Sequence, residues 1–206
     1  MPMKYLRGIL IVFIGLNWIA RAQEAADRDF PSQSFGVEFF KEEIILEVDD
    51  GQACITGVYY FRNNTDRELQ MPVVFPFYVD SLCAYPDQIE AAVITEEGKT
   101  GLSYARLAER DMISLRIPIK AGGITSWRLT YQQELGANRA VYIITTTAAW
   151  KKPLEEATYY FIAPDSFSNI QTWPLPDTIY IEDGRHVFKS VRYDFMPQRD
   201  MEITWE

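Results

Sequence analysis

Few side chains in this sequence could do chemistry. It holds one histidine, His186, and two cysteines, Cys54 and Cys83. A Ser-His-Asp triad would have to use His186. That residue follows the turn Asp183-Gly184-Arg185 and opens a strand pattern. Ser166, Ser168 and Asp165 lie in a loop elsewhere, and no Gly-x-Ser-x-Gly elbow is present. Paired carboxylates could serve a glycosidase, and the candidates are Glu42/Glu43, Asp49/Asp50, Glu96/Glu97 and Glu155/Glu156. Each pair is adjacent in sequence, and neighbours on a strand point to opposite faces, so none forms a cleft by itself. Asp49-Asp50-Gly51 lacks the spacing of a calcium loop. There is no P-loop and no G-x-G-x-x-G turn. The residues therefore nominate no catalytic group, metal ligand set or cofactor.

The cysteines and aromatics remain. In an exported protein, paired thiols tend to oxidise. A hairpin turning near Asn64-Thr65 would put Cys54 opposite a residue near Pro76, and Cys83 could fold back to meet it. The expectation is a Cys54–Cys83 disulfide closing about 30 residues, worth on the order of 3–4 kcal/mol by chain entropy. The loop 75–86, FPFYVDSLCAYP, crowds Phe77, Tyr78 and Tyr85 together, and Trp150 and Trp173 flank proline-bearing loops. Aromatics on loops at the end of a β domain can hold sugar rings or protein partners, so these five are the candidate binding residues.

These side chains must be positioned by strands. From Phe35 onward the apolar period is two. Ile44, Leu46 and Val48 share one face, as do Ile113, Leu115, Ile117 and Ile119, and Trp127, Leu129 and Tyr131. Residues 141–144 and 159–162 are apolar on both faces and read as central strands. Further alternation runs through 178–182, 187–195 and 201–205. Turns are expected at 63–66, 96–99, 121–123 and Asp183-Gly184, the last a tight type I′ hairpin. A helical turn fits only 102–110. About eleven strands separated by turns predict an all-β, two-sheet antiparallel sandwich over 35–206 as a single domain. The Pro-rich stretch 164–177 reads as a long loop or a sheet crossing.

The first 22 residues read as an export signal. Lys4 and Arg7 precede the apolar run 8–20, and Ala20-Arg21-Ala22 places cleavage between Ala22 and Gln23. Residues 23–34 are polar and small and read as a flexible lead-in. The apolar run is about 13 residues, short of the roughly 20 that span a bilayer. Processing would remove Lys4, Arg7 and Arg21 and no acid, taking 20 basic against 29 acidic residues to 17 against 29, a net charge of −12. Such a surface disfavours nucleic acid and anionic membranes. The expected location is periplasmic or extracellular, or membrane-tethered if the signal is retained.

Residues 58–77, VYYFRNNTDRELQMPVVFPF, resemble the opening hairpin of VIT domains, the β-sandwich domains found beside von Willebrand A domains. Residues 117–135, IPIKAGGITSWRLTYQQEL, resemble a second VIT-like turn and strand. Residues 145–164, TTTAAWKKPLEEATYYFIAP, look like a motif of exported bacterial β-sandwich proteins whose function is unassigned. The resemblance implies a β-sandwich and a protein-binding role. No von Willebrand A domain and no Asp-x-Ser-x-Ser metal motif accompanies it in this sequence. The combined expectation is a non-catalytic exported protein that engages an envelope or secreted protein through loops or a sheet edge. The alternatives are a carbohydrate-binding module, with a glycan as ligand, and a hydrolase whose carboxylates meet only in three dimensions.

Overall fold

The computed structural model describes residues 36–206. The export signal, the Ala22–Gln23 cleavage and the lead-in 23–34 lie outside these residues. Among the described residues fourteen strands form: β1 (Val37–Asp49), β2 (Gln52–Asn63), β3 (Leu69–Pro76), β4 (Asp87–Thr95), β5 (Gly98–Gly101), β6 (Tyr104–Leu107), β7 (Met112–Ile119), β8 (Ile124–Glu134), β9 (Arg139–Tyr142), β10 (Leu154–Pro164), β11 (Gln171–Trp173), β12 (Thr178–Glu182), β13 (Arg185–Phe195) and β14 (Met201–Thr204). Among the described residues helix is confined to two 3₁₀ segments, Ala108–Arg110 and Thr145–Trp150. The first lies where a helical turn was expected.

The protein is all-β, as the period of two requires. Three strands beyond the expected set, β5 (GKTG), β6 (YARL) and β11 (QTW), are three or four residues long and carry no sustained apolar alternation. They are held by neighbours, not by pattern.

The large sheet runs β12-β13-β10-β1-β2-β8-β4-β5, and two smaller sheets run β11-β14-β9 and β3-β7-β6. The large sheet is mixed, which corrects the antiparallel expectation. β1 and β10 run parallel, from Lys41 opposite Glu156 to Glu47 opposite Ile162. Side-chain alternation records which face is buried and is silent on strand direction. Only neighbours joined by a tight turn are forced to be antiparallel.

One apolar core is shared by all three sheets. The large sheet contributes Ile44, Leu46, Ile55, Trp127, Leu129, Tyr159 and Phe161, β3 and β7 contribute Phe75, Ile113 and Ile117, and β9 and β14 contribute Tyr142, Met201 and Ile203. The residues 141–144, expected as a central strand, fall in and after β9, which is terminal in its sheet order. Burial on both faces thus came without two hydrogen-bonded neighbours. β10, expected as central, lies between β1 and β13.

Two of the expected turns are sheet crossings. The 63–66 turn links β2 in the large sheet to β3 in a small one, and 121–123 links β7 back to β8. Asn63, 1% exposed, ties both crossings together. Its Nδ2 donates to the carbonyls of Arg67 (2.9 Å) and Lys120 (3.0 Å), and its Oδ1 accepts from Thr65 N (2.9 Å) and Thr65 Oγ1 (2.7 Å). The Asp183-Gly184 turn is a true hairpin between β12 and β13. Both residues have positive φ, 49° and 73°, as a type I′ turn demands.

Candidate functional site

The two edges of the large sheet differ in kind. One is β5, four residues of Gly, Lys and Thr. Short, polar edges with a lysine are how proteins blunt unwanted pairing. The other is β12, Thr-Ile-Tyr-Ile-Glu, exposed at every position. Ile179 is 58% exposed, Ile181 65% and Tyr180 38%, with Leu175 (70%) just before the strand and Tyr193 (70%) at the far end of β13. A run of β-branched and aromatic residues forms β12, and the Asp183-Gly184 turn pairs it with β13 from Thr178–Lys189 to Glu182–Arg185.

Register explains the exposure. Ile179 lies opposite Phe188 and Ile181 opposite His186. Phe188 in turn lies opposite Phe161 and His186 opposite Ala163, both core residues of β10. Ile179 and Ile181 therefore project on the core-facing side of the sheet, beyond the reach of the layer that covers β10. Tyr180 and Thr178 project on the outer side, beside Val187 and Lys189.

The loop end of β12 is fixed by polar contacts. The Arg192 guanidinium donates to Asp177 (2.8 Å) and to the carbonyl of Leu175 (2.6 Å). Asp177 also accepts from Val191 N at 2.7 Å. That backbone bond and Arg192 hold the Asp177 carboxyl below its ordinary range. Ser190 Oγ donates to Leu175 O at 2.7 Å. The Leu175 backbone is thus anchored while its side chain remains in solvent.

The five aromatics named from the sequence are largely absorbed by packing. Phe77 is 1% exposed and packs against Phe75, Tyr85 and Tyr131, which corrects its reading as a binding anchor. Tyr78 donates to Asp80 at 3.0 Å, and Arg139 lies 5.3 Å from its ring centre. Tyr85 donates to Met112 O at 3.1 Å. Trp150 packs on Phe39 and Phe61, and Trp173 sits under the Arg199 guanidinium at 5.6 Å. Phe77, Tyr78 and Tyr85 share one region, while Trp150 and Trp173 stand apart on other elements. Loop composition suggested aromatic anchors. The exposed apolar run lies instead on a strand, and TIYIE between Pro176-Asp177 and Asp183-Gly184 is its signal in the sequence.

Cys54 and Cys83 are free thiols, which corrects the disulfide. Cys54 lies opposite Glu47 and Gln132, not opposite the 76 region, because β2 does not pair with β3. Its neighbours Ala53 and Ile55 face the core, so Cys54 faces away from it, whereas Cys83 is buried in that core. Burial pushes both thiols up, Cys83 to about 11.

The carboxylates disperse as alternation requires. Glu43 lies on the face opposite Glu42. Glu155 pairs with Arg62 at 2.9 Å, Glu156 with Lys41 at 2.6 Å, and Asp49 with Arg185 at 3.2 Å. Glu42 is the exception, 3% exposed on the core face of β1. It accepts one hydrogen bond from Tyr159 Oη at 2.6 Å, and burial pushes its carboxyl up to about 7 against the opposing effect of that bond. Beside it, the hydroxyls of Tyr59 and Tyr142 bond to each other, and the Trp127 ring stacks on Tyr59 at 4.7 Å.

A surface groove of about 510 Å³ runs along β3, β6 and β7, lined by residues including Val73, Tyr104 and Arg116.

No protein-family profile matches the chain, and no curated protein matches it in sequence. Solved structures do match in shape. A protein of Legionella pneumophila named as a candidate nutrient-binding protein superposes with a TM-score of 0.60 at 12% identity, over 85% of this chain and 68% of that one. A candidate protease of Parabacteroides distasonis gives 0.46 at 9% identity, over 84% of this chain and 41% of that one. The first likeness shows a shared fold.

Proposed function

We propose that this chain is a non-catalytic binding protein, exported by its N-terminal segment, that engages a protein partner through the β12 edge. In this reading the sheets close as a two-layer sandwich, with the large sheet facing the two small ones. The observation that carries it is the asymmetry of the edges: β5 is polar and four residues long, while β12 exposes Ile179, Tyr180 and Ile181. An unprotected apolar edge is an aggregation hazard unless something pairs with it. Strand addition supplies main-chain hydrogen bonds for affinity and alternate side chains for specificity. The acidic surface would form the rim and set partner choice by charge.

A second reading, binding of a small ligand or glycan, is favoured by the β3-β6-β7 groove and by the shared fold with a protein named for nutrient binding.

The test is a photo-cross-linking residue at position 181, expressed in the native host, with the same probe at position 100 in β5 as control. Recurrent protein adducts at 181 and few at 100 are expected. Equal or absent adducts at both positions would overturn the edge reading and move weight to the groove.

A further inference from the structure

We propose that the partner at the β12 edge is a second copy of this chain, paired antiparallel about a two-fold axis at Tyr180. The inference rests on the edge reading above and specifies its occupant.

A two-fold axis normal to the sheet keeps each residue on its own face, so a residue can pair only with one of the same parity. Centring on Ile179 would place Ile181 opposite Asp177, and centring on Ile181 would push Ile179 against the Asp183-Gly184 turn. Only the Tyr180 register overlaps all five residues of β12. In it Tyr180 meets its own copy, each Ile179 meets an Ile181, and each Thr178 meets a Glu182.

The charges fit the same register. Among the described residues Glu182 and Lys189 have no ion-pair partner, whereas Asp177, Arg185 and Arg192 are each paired within the chain. Lys189 lies directly behind Thr178 in the β12–β13 register. Pairing therefore lines up Glu182 of one copy, Thr178 of the other and then Lys189 of that other copy on one face. Strands are about 4.8 Å apart, so the carboxylate and ammonium stand roughly 10 Å apart at the backbone with a small threonine between them. Within the chain the Lys189 ammonium lies over the Tyr160 ring, 5.4 Å from its centre. Turned toward Thr178 instead, an extended Lys meets an extended Glu across that gap, twice per dimer. On the opposite face the isoleucines join into a continuous stripe, Phe188–Ile179–Ile181–His186, covering surface that each copy alone leaves wet. The two large sheets become one of sixteen strands, and the polar β5 edges end it on both sides.

A five-residue strand pair buries less than a standard interface of about 1,600 Å², so association in the micromolar range is expected. The test is sedimentation of the full chain as its host processes it, at concentrations up to hundreds of micromolar. A concentration-dependent dimer is expected, with Ile181→Lys weakening it by about tenfold or more, since a charge on an edge strand opposes pairing. Glu182→Lys should weaken it and Glu182→Lys with Lys189→Glu should restore it. The geometric readout is Tyr180→Cys in a Cys54→Ser background, which should form a disulfide-linked dimer on mild oxidation, while Thr178→Cys in that background should not. A chain monomeric at every concentration, or a dimer indifferent to Ile181→Lys and unlinked through position 180, overturns the proposal. If position 181 still cross-links to a different protein in the host, the edge reading stands and only the self-pairing fails. If neither association is seen, both fall.

Discussion

Tyr159 Oη donates a 2.6 Å hydrogen bond to Glu42 Oε1 across the parallel β1–β10 pair, inside the apolar core. The residues sit on adjacent strands, Glu42 beside Ala157 and Tyr159 beside Ile44. A carboxyl there is stable in its protonated form, because burial penalises the charge more than one phenol stabilises it.

This gives a pH dependence with a definite sign. The folded carboxyl is raised from 4.5 to about 7. Its contribution to stability is fully present below pH 4.5 and is lost as pH rises to about 7. The span corresponds to about 3 kcal/mol. Chemical unfolding at pH 5 and pH 8 should show lower stability from this group at pH 8. Glu42→Gln, which keeps an acceptor for Tyr159, should flatten that difference and stabilise the protein at pH 8. An unchanged pH profile in Glu42→Gln would show that the carboxyl does not titrate in this window.

Gly57 is a position where any side chain collides. A Cβ there would collide with Tyr59 Oη, since the Tyr59 ring folds back along its own strand. Gly57→Ala must displace that ring from its stack on Trp127 and its bond to Tyr142. Overpacking costs of about 1–3 kcal/mol are usual, and a broken buried hydrogen bond adds about 1 kcal/mol. A thermal melt should shift down accordingly. A melt unchanged from the parent would mean the ring has another place to go.

The thiols offer a direct check of topology. Alkylation of unfolded protein without reductant should label both Cys54 and Cys83. In the folded protein Cys54, half-buried on the outer face, should react faster than Cys83, whose thiol is both buried and pushed up to about 11. A mass showing neither label without reductant would demonstrate a bridge and require a different path for β2.

The sequence revealed what a period of two can reveal. Ile44, Leu46 and Val48, or Ile113 through Ile119, announce a buried face, and Asp183-Gly184 announces a hairpin. It did not reveal which strands would be neighbours. A hairpin at 63–66 would set Cys54 opposite the 76 region, and the same alternation is equally satisfied when β2 lies between β1 and β8. The direction of β10 was likewise illegible, since parallel and antiparallel pairs bury the same residues. At the candidate site, TIYIE was visible as a strand, but its edge position was not. An alternating strand beside a covered neighbour and one beyond the covering layer read alike, and only the second leaves Ile179 and Ile181 exposed.

Asn63 is where the two sheet crossings are welded, and its amide is matched atom by atom. Nδ2 gives both protons to carbonyls, and Oδ1 takes two donors from Thr65. Asn63→Ala takes a partner from the carbonyls of Arg67 and Lys120 and from the Thr65 N–H, while the Thr65 hydroxyl keeps its 3.2 Å bond to Arg67 O. The cost is about 1–3 kcal/mol for each group that is left unsatisfied and cannot relax. Asn63→Asp is the sharper test. It keeps the shape and the Thr65 bonds but sets an acceptor against the carbonyls of Arg67 and Lys120. The folded state must then favour the protonated acid, so that variant's stability should be greatest at acid pH and fall as pH rises through its raised pKa. Asn63→Ala should show no such added pH dependence. Parallel unfolding curves for the two variants across pH would mean that Nδ2 is not the donor to these carbonyls and that the crossings are held by the backbone alone.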